Sequence, residues 1–211
     1  EPLPFGAATS GITDRSNARH GATEWLPRLA RAGLRALQVR EKDLAPAELF
    51  GFCRSLQAAL PRTGPLPRLY LNDRGDLALA LGFTGVHLRE ESLPLAEQPG
   101  VLRQRLRFAV STHSVEGVHA AFAAGAEFAT FGPVFETASK AAYGAPVGVQ
   151  VLEQAARATP LPLFALGGVT PERARECLNA GAQGVAAIGA VWNADDPVAA
   201  LDRFREALGA L

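Results

Sequence analysis

The 211 residues suffice for one domain with a substantial core, somewhat short of the roughly 250 typical of a (β/α)8 barrel. With 48% apolar residues the chain reads as an ordinary globular protein rather than a disordered one. Basic and acidic residues balance at 21 each, which excludes a global field for nucleic acid or an anionic membrane, so any anion site must be a local cluster.

Along the chain one unit repeats: a short apolar run, a polar or glycine turn, then a helix-period segment rich in Ala and Leu. The first run, Ala7–Thr13, precedes a helical stretch at Glu24–Ala32. Arg35–Val39 precedes Ala45–Ala59, and Arg68–Leu71 precedes Leu77–Leu81. Gly85–Leu88 is followed by Pro94–Leu106, and Phe108–Val110 by Ser114–Ala124. Phe128–Phe131 leads through a long loop to Gly148–Ala158, Leu163–Leu166 to Pro171–Asn179, and Val185–Ile188 to Pro197–Leu208.

Punctuation supports these boundaries. Thr170 before Pro171, Ser114 before Glu116 and Asp196 before Pro197 read as helix starts. Ala-Gly junctions at Gly33, Gly125 and Gly181 recur at one point of the unit, where left-handed C-terminal caps belong. Alternating βα units leave a closed barrel or an open doubly wound sheet. No Gly-x-Gly-x-x-Gly or P-loop follows the first strand, and polar clusters follow nearly every strand. Residues 1–211 are therefore expected to form a single (β/α)8 TIM barrel.

Cys53 and Cys177 fit no CxxC or disulfide framework and read as small buried side chains. No signal peptide is visible, and no apolar run approaches the ~18 residues of a membrane span. The expectation is a soluble cytoplasmic protein, with the missing methionine pointing to an incomplete or processed start.

Four clusters carry chemistry. In Gln38-Val39-Arg40-Glu41-Lys42-Asp43, strand alternation puts Gln38, Arg40 and Lys42 on one side, opposite Val39 and Glu41. Aimed into a barrel mouth they form a polyanion site; the competing reading is a solvated charge run. Asn72-Asp73, with Asp76 nearby, suits Mg²⁺ or, equally, a helix N-cap. Phe131 to Lys140 opens a binding loop or a plain surface loop, and Ser111-Thr112-His113 is expected to face the same mouth. Gly167-Gly168 and Ile188-Gly189 follow strands seven and eight, where barrels frequently hold phosphate; tight turns alone are the alternative. The histidines show no metal-ligand spacing, and His87 reads as structural or a substrate contact.

These motifs, in order and over nearly the whole chain, resemble the thiamine phosphate synthase family and its thiazole tautomerase relatives: Gln38-x-Arg40-x-Lys42-Asp43, Asn72-Asp73, Gly85-Val86-His87-Leu88, Ser111-Thr112-His113-Ser114, Gly132-Pro133-Val134-Phe135-x-Thr137-x-Ser139-Lys140 and Gly167-Gly168. The resemblance implies a transferase joining hydroxymethylpyrimidine diphosphate to thiazole phosphate with loss of pyrophosphate. It implies that Gln38, Arg40, Lys42, Asn72 and Lys140 hold the diphosphate, and that Ser111, Thr137 and Ser139 add hydroxyl contacts. Gly168, Ile188 and Gly189 would hold the thiazole phosphate, and Asp73 would ligate Mg²⁺. Arg40, Lys42, Lys140 and Ser111 would carry the catalysis. The expected partners are small phosphorylated substrates, without nucleic acid or membrane, and a homo-oligomer is left open.

Two departures accompany the resemblance. Synthases place a second carboxylate ligand where Ser92 stands, with Glu90 and Glu91 as offset substitutes. The wording Val134-Phe135-Glu136-Thr137 is that of the tautomerase branch, whose catalytic histidine is replaced here by Pro133. A metal-free tautomerase and a non-catalytic binder of thiamine precursors are therefore the alternatives.

Overall fold

The computed structural model describes residues 8–16, 18–137 and 145–209. The strands are β1 (Ala8–Ile12), β2 (Ala36–Val39), β3 (Arg68–Asn72), β4 (Gly85–Leu88), β5 (Arg107–Thr112), β6 (Phe128–Phe131), β7 (Leu163–Leu166) and β8 (Gly184–Ala187). All pair in parallel in sequence order, and β8 returns to β1 with Ser10 opposite Ala186, closing the barrel. The helices are α1 (Ala22–Arg31), α2 (Pro46–Ala59), α3 (Gly75–Leu81), α4 (Gly100–Arg105), α5 (Val115–Ala123), α6 (Gly148–Ala158), α7 (Pro171–Asn179), α8 (Gly189–Trp192) and α9 (Pro197–Leu208). None is long and apolar enough to cross a membrane.

Alternation along the strands separates two cores. One set of residues, including Leu37, Leu71, Leu163 and Val185, packs with Leu152, Leu201 and Phe204 of the helices. The other, including Ala36, Tyr70, Ala109, Phe128, Phe164 and Ala186, fills the barrel interior. Large and small side chains share that space: Tyr70 and Phe164 each meet Phe128 edge-on at 5.2 Å, beside four alanines. Below them Glu127 takes an ion pair from Arg68 at 2.7 Å and the Tyr70 hydroxyl at 2.6 Å. Gly85 is demanded by close strand approach, since a Cβ there would lie 2.0 Å from the Arg107 carbonyl oxygen.

Most predicted ends hold. Ser114 accepts the Gly117 N–H, and Asp196 accepts those of Val198 and Ala199. Thr170 starts α7 by position but makes no side-chain cap bond. The helix expected over Pro94–Leu106 is broken into a 3₁₀ turn, Leu95–Glu97, and α4. Pro99 explains the break, because it lacks an N–H and forces Gln98 into an extended ψ of 145°. β8 ends one residue earlier than expected, and the turn beyond it is the short helix α8. Both cysteines are buried, and burial pushes each thiol up to about 12, as inert core side chains require.

Candidate active site

The segments following the strands enclose a cavity of about 1010 Å³ at the C-terminal mouth of the barrel. Gln38, Arg40 and Lys42 line one wall, and Gly167, Gly168, Ile188 and Gly189 line another. Asn72, Ser111 and Thr137 line it too, so nine of the expected substrate residues share one space. Ser139 and Lys140 lie outside the described residues.

The cationic wall grows from β2. Gln38 points inward and is buried, its amide donating to Asn72 Oδ1 at 3.0 Å. The strand ends at Val39, and the Arg40 N–H donates to Thr13 Oγ1 at 3.0 Å, fixing the chain where the cations emerge. Arg40 and Lys42 make no ion pair among the described residues, whereas Arg15 takes Asp43. Arg40 is half-buried and Lys42 exposed at the rim of the cavity. The Lys42 ammonium is held below its ordinary value, first by the like charge of Arg40, then by burial and by Arg89. Strict alternation fails beyond Val39: Glu41 also borders the cavity, buried, accepting the Arg15 N–H at 2.9 Å. Burial raises its carboxyl above the usual range.

The floor carries a buried polar cluster. His87 Nε2 lies 2.9 Å from Ser111 Oγ, which also accepts from Thr130 Oγ1 at 3.2 Å. Thr112 turns away from the mouth, contrary to expectation, and donates to the Thr130 carbonyl at 3.1 Å. Desolvation drives His87 down to about 4, so the ring is neutral near pH 7 and structural rather than a proton donor. Its folded value lies below the ordinary 6.5, so stability is intact above pH 6.5 and falls as pH drops toward 4. Between pH 7 and pH 5 this group alone should cost about 2 kcal/mol. Thermal melts across that range should show the loss, and His87→Gln should remove this part of the pH dependence. An equal slope in the variant assigns it to other groups.

Asp73 is not the N-cap of α3. It follows β3 at a left-handed φ of 59°, and Arg74, not Asp73, occupies the N-cap of α3. Its Oδ2 accepts Asn72 Nδ2 at 2.9 Å and Arg89 Nε at 2.5 Å, while Oδ1 accepts the Ser92 hydroxyl. Glu90 and Glu91 reach elsewhere, to His113 Nε2 and Arg89 Nη1, each at 3.8 Å. Among the described residues no group of three His, Cys, Asp or Glu side chains is placed to hold a metal. A Mg²⁺ ion at Asp73 would draw on that one carboxylate and on substrate phosphate oxygens, and would displace the donors that now engage it. Sequence reasoning missed Arg89, though a cation directly after an apolar strand was the same signal that marked Arg40.

The opposite wall is backbone. α8 opens at Gly189, and its Val191 and Trp192 N–H groups donate to the Ile188 carbonyl at 3.2 and 3.1 Å. Gly168 stands at φ 63°, and its carbonyl accepts Arg173 Nη1 at 3.0 Å. An added Gly168 Cβ would meet the Glu136 carbonyl oxygen at 2.4 Å, so this glycine also lets the loop after β7 pack on the loop after β6. Arg173, a second missed residue, lies 4.7 Å over the Phe135 ring and borders the cavity.

Fold and mouth together define a (β/α)8 barrel whose strand ends gather cations on one side and open backbone turns on the other. The chain belongs to the thiamine monophosphate synthase family, whose model matches residues 10–191. A Geobacter sulfurreducens protein provisionally named thiamine-phosphate synthase is 44% identical over 189 residues, covering 88% of this chain and 87% of that protein. The thiamine-phosphate synthase of Roseiflexus sp. (strain RS-1) is 35% identical over 204 residues, 95% of this chain and 86% of its own. The structure of thiamine phosphate pyrophosphorylase from Pyrococcus furiosus superposes with a TM-score of 0.82 at 27% identity, covering 96% of this chain and 95% of that one.

Proposed function

We propose that the chain is a thiamine-phosphate synthase, a transferase that joins hydroxymethylpyrimidine diphosphate to thiazole phosphate and releases pyrophosphate. The observation that carries this reading is one cavity lined by Arg40 and Lys42 on one side and by the Gly168 and Gly189 turns on another. A diphosphate and a monophosphate fit such a pair, and the reaction needs no covalent nucleophile.

In this reading the carbon–oxygen bond to the diphosphate breaks, and the pyrimidine stabilises the methyl cation that remains. The thiazole nitrogen lone pair then forms the new carbon–nitrogen bond. Arg40 and Lys42 take up the charge developing on the leaving group, with Lys140 assigned to the same task. Gln38 and Asn72, tied to each other at 3.0 Å, hold a fixed pair of amides against the pyrimidine diphosphate. Ser111, positioned by His87 and Thr130, and Thr137 with Ser139 supply hydroxyl contacts. Gly168, Ile188 and Gly189 receive the thiazole phosphate. The partners are small phosphorylated molecules, and the compartment is the cytoplasm.

The test is product identification by mass spectrometry after incubation with both substrates, in parallel with a thiazole carboxylate phosphate tautomerisation assay. Thiamine phosphate in the first arm supports the reading. Tautomerisation alone, or tight binding without any product, overturns it.

A further inference from the structure

We infer that Arg173 is a positioning residue of the glycine wall, holding the turn after β7 in the form that receives a phosphate group. The inference rests on the synthase reading for the identity of that phosphate, and on the contacts of the turn for everything else. Gly167 and Gly168 stand at φ 92° and 63°, and glycine adopts many other angles as readily. Their own sterics therefore do not fix the turn, and its carbonyls are held from outside. Gly167 O accepts the Phe135 N–H at 3.0 Å, and Gly168 O accepts Arg173 Nη1 at 3.0 Å. The Gly168 and Val169 N–H groups, by contrast, donate to no acceptor among the described residues. Successive N–H groups in a turn form a concavity suited to an anion, and Gly167, Gly168 and Val169 all border the cavity.

Arg173 serves this turn rather than its own helix. It occupies the first turn of α7, where the helix dipole disfavours a cation. The contacts it makes there, the Gly168 carbonyl and the Phe135 ring at 4.7 Å, include no carboxylate. The guanidinium is thus spent on a carbonyl, and it offsets partial negative charge that would repel an anion at this wall. Because a peptide unit is planar, fixing the Gly168 carbonyl also fixes the Val169 N–H of the same unit. Phe135 belongs to the loop after β6, so the stacked guanidinium holds the turn against a second loop as well.

Isothermal titration of the whole protein with thiazole phosphate and with the unphosphorylated thiazole alcohol tests this, the readout being the preference for the phosphate group. Arg173→Met, which keeps the side-chain bulk, should cut that preference about tenfold, the scale of a charge-assisted hydrogen bond. Arg173→Lys, which keeps a cation but not the fork, should recover part of it. Pyrophosphate affinity should stay within about threefold of wild type, because Arg40 and Lys42 line the other side. A merely structural arginine predicts equal losses for phosphate and alcohol, or a matching loss of pyrophosphate. Either result, or an unchanged preference in a folded Arg173→Met, overturns the inference. If Arg173→Met does not fold, Arg173→Gln is read in the same way. If wild type binds neither thiazole, inorganic phosphate becomes the probe. Loss of phosphate binding in Arg173→Met then supports the role of Arg173 and removes the synthase reading, whereas no loss overturns both.

Discussion

Replacing Arg40 by alanine should lower synthase turnover about a thousandfold while leaving the fold intact. The side chain emerges just past β2, where the backbone is fixed by the Arg40 N–H bond to Thr13, and it makes no ion pair among the described residues. Its charge is thus available to a ligand rather than spent on the scaffold. Charge on the departing pyrophosphate develops in the transition state, and deleting one preorganised donor to such charge costs about 10²–10³ in rate. Arg40 also crowds Lys42, so the variant loses a cation and alters its neighbour. Arg40→Lys should recover part of the rate but not all, since an ammonium is a point charge without the fork. The proposed function puts thiazole phosphate on the opposite wall, so its affinity should hardly move. Steady-state kinetics with calorimetry for each ligand would check this; turnover within threefold of wild type would make Arg40 a bystander.

Gly168→Val should destabilise the protein by about 4 kcal/mol, combining a β-branched residue in the left-handed region with overpacking. The added Cβ meets the Glu136 carbonyl oxygen at 2.4 Å and Phe135 Cβ at 2.8 Å, and φ is already 63°. Neither obstacle is the end of a flexible side chain. Relief requires the loop after β7 to part from the loop after β6, which are joined by Val134 N–H to Leu166 O at 2.8 Å and Phe135 N–H to Gly167 O at 3.0 Å. Melting temperature should fall by about 10 °C, and binding of both anions should suffer, the thiazole phosphate most. Gly189→Ala is the control on the same wall, because its Cβ meets only the tip of Asn193 at 3.3 Å. A stable Gly168→Val protein would show that the two loops are not coupled as described.

Much of this architecture was legible because it is written in period-two alternation and in glycine and proline punctuation. Ala36 and Gln38 against Leu37 and Val39 already assign the inner and outer faces of β2. The same logic misplaced Glu41, because alternation ends where the strand ends, and the loop then buries Glu41 beneath Arg15. Pro99 divides the helix expected over Pro94–Leu106 into a 3₁₀ turn and α4, a break that apolar spacing alone does not mark. The left-handed turn at Asp73 leaves no mark in sequence, since aspartate there also fits an N-cap. Arg89 was hidden for a different reason. Its position was read for missing carboxylates at Glu90, Glu91 and Ser92, whereas what the chain places there is a positive charge tied to Asp73.

The most direct measurement of the central claim is the stoichiometry of a reaction containing both substrates, with thiamine phosphate and pyrophosphate quantified in the same sample. The account predicts one pyrophosphate for each thiamine phosphate, neither formed when the thiazole phosphate is left out, and both lost in Arg40→Ala. Pyrophosphate released without thiazole phosphate, or thiazole isomerised with no pyrophosphate at all, would contradict it.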